Sequence, residues 1–268
     1  MTPELASAPP TAARVAGALG TSWLGRAYEW HAVCESTSDL AAARARAGAP
    51  AGLVVAADAQ TAGRGRLGRT WHSPAGESLY LSLLLRPTRP ANEIPPLTLL
   101  AGAAVADAVA GLGVKPRLKW PNDLQLIGSD GARRKLCGIL TEMATAGTRV
   151  EHVVVGIGIN VNGLDFPPEL ADRATSLRAA LGHPVDRTAL LAAVLAAFEP
   201  RYAAFERRGP AAAVDGFDAY AVLPDRCRVT TAGEPLEGVA LGVDPDGALR
   251  LRDDAGQIHR VISGELLP

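Results

Sequence analysis

Closely spaced apolar runs between residues 117 and 161 restrict the fold of this chain more than any other feature. RLKW (117–120), LQLIG (124–128), KLCGILTEM (135–143) and RVEHVVVGIGINV (149–161) each read as a strand. A Gly/Ser/Asp turn at 128–131 separates the second from the third. So short a connection makes a hairpin, which fixes this part of the sheet as antiparallel.

The rest of the chain adds helices to that sheet. GLVVAAD (52–58) and LYLSLLLRP (79–87) are short apolar runs suited to buried strands. Ser36, Thr37 and Ser38 precede DLAAARARAG, a cap followed by a helix that Gly48 and Pro50 end. Helical periodicity covers 97–113 and 187–208, with Pro200 marking a kink in the second. After Leu223 the pattern changes to short alternating strands between Gly, Pro and Asp turns, which predicts a small β-barrel. The expected fold is α+β: a mixed, largely antiparallel sheet packed with helices in residues 1–222, and an SH3-like barrel in 223–268. Residues 1–13, rich in Ala and Pro, are expected to fray.

Charge and cysteine content narrow the function. The 268 residues carry a formal net charge of −1. No global basic field draws the chain to DNA or to an anionic membrane, so any anion site must be local. Three separated cysteines with no CxxC point to free thiols in a reducing compartment. The N-terminus lacks a secretory signal, and no apolar run reaches the roughly 20 residues of a membrane span. The expected location is the cytoplasm.

The segment QTAGRGRLGRTW (60–71) formally contains GxGxxG at Gly63, Gly65 and Gly68. A dinucleotide site requires a helix directly after that motif. Here Pro74, Gly76 and a strand follow instead. Between Asp58 and Glu77 there is no acidic residue, while Arg64, Arg66 and Arg69 fall close together. Flexible backbone with arginines suited to bidentate contact describes an anion clamp; the alternative is a solvated basic loop.

Of the 27 basic residues only Lys115, Lys119 and Lys135 are lysines. A lysine kept against such a bias suggests a need for a compact ammonium. Lys119 opens KWPND, where Pro121 sets a turn and Asn122 and Asp123 either cap backbone or face a site. Lys135 precedes Gly138 in mid-strand, a position where glycine weakens a sheet unless something approaches the backbone; otherwise Lys135 is an exposed edge lysine. Gly156, Gly158 and Asn160 alternate and so share one strand face, small and flat enough for a planar ligand.

Taken together and in order, Glu35-Ser36-Thr37-Ser38, GRGRLGRTW, KWPNDL, KLCGIL and GIGINVN resemble the biotin–protein ligases over roughly residues 30–165. The resemblance implies ATP-dependent activation of biotin to its adenylate, then transfer to a lysine of a biotin carboxyl carrier domain. It implies that Ser36, Thr37, Ser38 and Gln60 read the ureido group, with Gly63, Arg64 and Gly65 contacting biotin beside them. Arg66 and Lys135 would be the catalytic cations between carboxylate and α-phosphate, with Gly138 close to biotin. Arg64, Arg69 and Trp71 would contact the adenylate, Asn160 the adenine edge, and Asp123 a Mg²⁺ ion. Ser38 stands where many relatives carry Asn.

With some 30 residues before the motifs, the resemblance implies the monofunctional type without a DNA-binding domain, acting as a monomer or weak homodimer. The alternatives are a lipoate- or octanoate-handling enzyme on the related fold and a non-enzymatic biotin or nucleotide sensor.

Overall fold

The computed structural model describes residues 8–128, 130–231 and 234–267. Strands β1 (Tyr28–Cys34), β2 (Val54–Gln60), β3 (Ser78–Leu85), β4 (Arg117–Lys119), β5 (Asp123–Ile127), β6 (Arg133–Ala146) and β7 (Arg149–Asn160) form one sheet in the order β1-β2-β3-β7-β6-β5-β4. Only β1 and β2 pair in parallel.

The parallel pair needs a crossover, and helix α2 (Thr37–Arg46) supplies it. Ser36 caps α2 by accepting a hydrogen bond from the Asp39 amide. The β1 strand escapes a reading of the sequence because it lies at the sheet edge and its half-buried residues lack clean alternation. The structure also corrects the expected fraying over residues 8–13. Helix α1 (Ala12–Ala18) begins there, and the Pro10 carbonyl accepts a hydrogen bond of 2.6 Å from the Tyr28 hydroxyl. Residues 1–7 lie outside the described residues.

Strand alternation divides the molecule into two cores. Leu79, Leu81, Leu83 and Leu85 of β3, with Val153, Val155, Ile157 and Ile159 of β7, face the larger one. Helices α3 (Leu97–Ala110) and α5 (Arg187–Arg208) cover that face. Each fully buried Leu or Val there contributes about 1.5–3 kcal/mol. The stretch Ala91–Ala110, which ends in α3, and the α5 helix match a membrane span in length and composition, yet here they serve as packing elements. The α5 helix runs unbroken through Pro200. Two short helices, α4 (Leu177–Leu181) and α6 (Ala211–Asp218), complete the set.

On the other sheet face Val55, Leu84 and Val154 pack beneath Ala41 and Ala45 of α2. The α2 helix covers only part of that face. Beyond its N-terminus the strands present Ser82, Gly138, Gly156 and Gly158, small residues where a ligand cavity lies.

A β-bulge sets the contents of this cavity. Leu124 pairs with Cys137, but Gln125 pairs with Lys135, so Leu136 is an extra residue in β6. Strict alternation would put Lys135 and Gly138 on opposite faces. The bulge brings them to the same one, and a Cβ built on Gly138 would lie 3.3 Å from Lys135 Nζ.

The chain then forms a second, five-stranded antiparallel sheet ordered β11-β10-β9-β8-β12. Its strands are β8 (Cys227–Thr230), β9 (Leu236–Val243), β10 (Leu249–Arg252), β11 (Ile258–Val261) and β12 (Glu265–Leu267). The last is too short to be read from the sequence. Val229, Leu249, Leu251 and Leu266 join the larger core. Trp120 Nε1 donates to the Gly247 carbonyl at 3.0 Å, so this sheet is docked onto the first.

Candidate active site

A cavity of about 670 Å³ opens between the uncovered sheet face, the 60–76 loop, the KWPND turn and β12. Seven cationic side chains line it, Arg64, Arg66, Arg69, Lys119, Arg133, Lys135 and Arg173, against two carboxylates, Asp123 and Glu265. Arg66 and Lys135 therefore share one space.

One end is a wall of hydroxyl and amide groups. Gln60 Oε1 accepts from the Thr37 amide at 2.9 Å and from the Thr37 hydroxyl at 3.2 Å, while Gln60 Nε2 donates to Ser73 Oγ at 3.0 Å. Ser82, fully buried on β3, lies 2.9 Å from Thr37 Oγ1 and 3.0 Å from Ser38 Oγ. Ser38 leans over Gly156, whose missing side chain makes room for it. Every group in this wall is held by another, so its donors and acceptors point in fixed directions. Ser82 and Ser73 were not singled out from the sequence; for Ser82 the available signal is a lone hydroxyl in an apolar strand.

The middle of the cavity belongs to Trp71. The loop folds back on itself: the Trp71 amide donates to the Gly63 carbonyl at 2.8 Å and the Gly65 amide to the Arg69 carbonyl at 2.7 Å. The indole then lies on the glycine face. A Cβ on Gly158 would sit 2.5 Å from the ring and one on Gly138 2.8 Å from it. The flat face expected to receive a planar ligand therefore receives this side chain first. The Trp71 Nε1 is buried without a hydrogen-bond partner among the described residues, an orphaned donor beside the ligand space. Gly63 packs within the loop rather than lining the cavity, whereas Gly65 lines it.

At the far end the Lys135 ammonium lies 2.5 Å from Asp123 Oδ1 and 5.4 Å from the centre of the Trp71 ring. Its backbone is fixed on both sides, by Lys135 N donating to the Arg173 carbonyl at 2.7 Å and its carbonyl accepting from the Thr175 amide at 3.0 Å. Asn160 lines the cavity, but its amide nitrogen donates to the Thr175 carbonyl at 3.1 Å and the Lys135 carbonyl at 3.4 Å. In this state Asn160 fixes the lysine backbone.

The KWPND turn, with a cis Trp120–Pro121 bond, is tied to β6. Asn122 Nδ2 donates to the Ile139 carbonyl, and the Ile139 amide donates back to the Asn122 carbonyl, both at 3.0 Å. Arg66 reaches over from the loop, donating to Asn122 Oδ1 at 3.2 Å and the Gly264 carbonyl at 3.1 Å. Burial lowers the Arg66 pKa, offset in part by the carboxylates of Asp123 and Glu265, and an arginine stays charged regardless.

Three further expected contacts are placed differently. The Arg64 guanidinium is committed to Glu142 and Asp39, at 2.7–2.8 Å, which leaves its backbone rather than its charge available to a ligand. Arg69, expected to fold over a nucleotide, forms a two-pronged ion pair with Glu265 of β12. Asp123, expected to hold a metal, is engaged by Lys135, and the described residues contain no group of three or more His, Cys, Asp or Glu able to hold one. Asp123 would thus offer a metal a single carboxylate, the one that Lys135 engages here. Lys119, Arg133 and Arg173 were not among the expected contacts; only Lys119, as one of the scarce lysines, carried a signal.

Comparison with known proteins gives this arrangement its relatives. Residues 30–160 match the Biotin/lipoate A/B protein ligase family and residues 225–266 match the Biotin protein ligase C terminal domain. The chain is 40% identical over 252 residues to a protein named Bifunctional ligase/repressor BirA from Bacillus subtilis, covering 92% of this chain and 76% of that one. It is 34% identical over 255 residues to Biotin--[acetyl-CoA-carboxylase] ligase from Mycobacterium tuberculosis, covering 92% and 90%. The structure of biotin protein ligase from Aquifex aeolicus in complex with biotin and ATP aligns with a TM-score of 0.77 at 29% identity, over 90% of this chain and 97% of that one. The chain belongs to the biotin–protein ligase family.

Proposed function

We propose that this chain activates biotin with ATP and transfers the biotinyl group to a lysine of a carrier domain of a biotin-dependent carboxylase. The observation that carries the reading is the division of one cavity: a rigid neutral wall at one end and clustered cations at the other. Biotin offers a neutral ureido group and a carboxylate, and the cavity matches both ends. Lipoate has no ureido group and would leave the buried wall unpaired, a loss worth on the order of 1–3 kcal/mol per group.

In the first step a biotin carboxylate oxygen attacks the α-phosphorus of ATP, and the bond to the β-phosphate bridging oxygen breaks as pyrophosphate leaves. Two anions must approach, so positive charge is needed where they meet. Lys135 and Arg66, which line the same cavity, supply it. Asp123 holds the ammonium in place until the anions compete for it. In the second step the neutral amine of the acceptor lysine attacks the acyl carbon of the mixed anhydride. The acyl C–O bond breaks, AMP leaves and the nitrogen releases a proton. Trp71 and the 60–76 loop shield the intermediate from water. Mg²⁺, on this reading, accompanies the triphosphate as its counter-ion.

Several further points belong to the same proposal. The catalytic portion extends to about residue 222 and the β-domain follows. A cytoplasmic location fits the three free thiols of Cys34, Cys137 and Cys227. Lack of DNA binding rests on the near-neutral charge of −1. A monomer or weak homodimer fits one sheet edge, β4, being covered by the bridge from Leu118 to Ala221. The test is mass spectrometry of a carrier domain incubated with the protein, biotin and Mg-ATP, with lipoate in parallel. A single biotinyl addition on lysine is expected; no addition, or preferential lipoylation, overturns the assignment.

A further inference from the structure

The same sheet face carries a second concavity at its other end. His152 and Gly156 are four residues apart on β7, which separates the two places by roughly 13 Å. The second cavity measures about 740 Å³ and is bounded by the C-terminal end of α2, the residues after β3 and the start of β7. Arg46, Arg86, Arg89 and Arg149 line it, with Glu151 as the one carboxylate among its lining residues.

The arginines differ in how they are held. Arg86 is fixed by carbonyl oxygens, donating to Glu151 O and Ala45 O at 2.9 Å and to Ala49 O at 3.0 Å. Carbonyls orient a guanidinium without cancelling its charge. Arg89 is paired with Glu93 at 3.2 Å. The guanidinium groups of Arg46 and Arg149 make no hydrogen bond or ion pair among the described residues. Three guanidinium charges thus converge on this groove against a single lining carboxylate.

Beneath them lies His152, only 6% exposed and part of the cavity lining. Its ring makes no hydrogen bond among the described residues. Burial and then the charge of Arg86 lower its pKa, Arg46 acts the same way, and Glu151 opposes them. The imidazole is therefore kept neutral, with one nitrogen able to donate. A solvated arginine cluster is common on protein surfaces. A mostly buried imidazole beneath one, lining the groove and with no protein partner for its ring among the described residues, is less usual and gives a ligand a polar floor to meet.

We propose that this groove is a second ligand site, separate from the catalytic cavity, which binds a multiply charged oxyanion through Arg46, Arg86 and Arg149 with His152 as its floor. Convergent planar guanidinium groups are suited to oxyanions and multiply that preference when several are fixed together. A singly charged anion would leave most of the positive charge unmatched.

The test is an NMR titration of the histidine rings in the full chain, with His152 assigned through His152→Gln. Inorganic pyrophosphate and citrate are added separately, without Mg²⁺ or nucleotide. The His152 signal should shift along a saturating curve with at least one anion, and its apparent pKa should rise as the anion offsets the arginines. The arm that saturates at lower concentration tells phosphate from carboxylate recognition. Arg46→Ala combined with Arg149→Ala should weaken binding about tenfold, the loss of two charge-assisted contacts, while adenylate formation stays unchanged. Lys135→Ala should leave the His152 response intact, which separates this site from the catalytic one. A response linear in both anions, or one equal in the double arginine variant, overturns the proposal.

Discussion

Lys135 sits in a slot of defined width, 2.5 Å from Asp123 and close over the Trp71 ring. A compact ammonium fits that slot, whereas a planar guanidinium is longer and wider. Lys135→Arg should therefore lose adenylate formation by about 100-fold or more while the fold is retained, since a displaced transition-state contact costs several kcal/mol. Pyrophosphate exchange with circular dichroism as control checks this, and normal exchange would remove Lys135 from the mechanism. Ser82 gives a second prediction at this scale. Its hydroxyl links Thr37 and Ser38, so Ser82→Ala should raise the KM for biotin roughly three- to tenfold through loss of one or two buried hydrogen bonds. The KM for ATP should not change, and a parallel rise in both would mean general loosening of the site. The scarce lysines and the Ser-Thr-Ser run were legible as residues. Their partners were not: Ser82 lies 44 positions from Ser38, and only strand pairing brings the two together.

The elements show the same division. The β5–β6 hairpin, the apolar strands and the long helices were legible because period and turn chemistry are local. The bulge at Leu136 was not, since one extra residue in a strand leaves no mark on composition. Yet it turns Lys135 toward Gly138, and without it the site would lack its ammonium. The 60–76 loop was legible as a glycine-rich anion clamp, but the commitments of its arginines were hidden. Arg64 spans Asp39 and Glu142, anchoring the root of the loop, while its tip carries Leu67, 71% exposed and in the left-handed region at φ 57°. A non-glycine residue held in that conformation stores about 1–2 kcal/mol. An anchored root and a strained tip describe a segment able to change shape when anions draw Arg66 inward. Amide hydrogen exchange across residues 60–76 should slow several-fold when biotin and ATP are added together, as ligand contacts order the loop. If exchange there stayed the same while the rest of the cavity responded, the loop would be a static wall.

Across the whole molecule, the second sheet completes the catalytic cavity instead of hanging beside it. Arg66 donates to the Gly264 carbonyl and Arg69 pairs with Glu265, so the loop that covers the site is latched to β12. The Arg69 guanidinium, first among several causes, holds the Glu265 carboxyl below the usual glutamate value of 4.5. A folded-state value below the unfolded one means that the unfolded chain takes up the proton more readily. The latch is therefore stabilising above about pH 4.5 and is lost as the pH falls through the folded-state value. Arg69 is 63% exposed, so solvent screening limits the pair to about 0.5–1 kcal/mol. Glu265→Gln should lower the unfolding midpoint by about 1–3 °C at pH 7 and low salt. That difference should shrink as the pH drops below about 4, and also as salt rises, because both conditions remove the charge contrast in the parent protein. A midpoint difference that persisted undiminished at pH 3 would mean that Glu265 acts through packing. The docking of the second sheet would then rest on the Trp120–Gly247 contact and the shared apolar core alone.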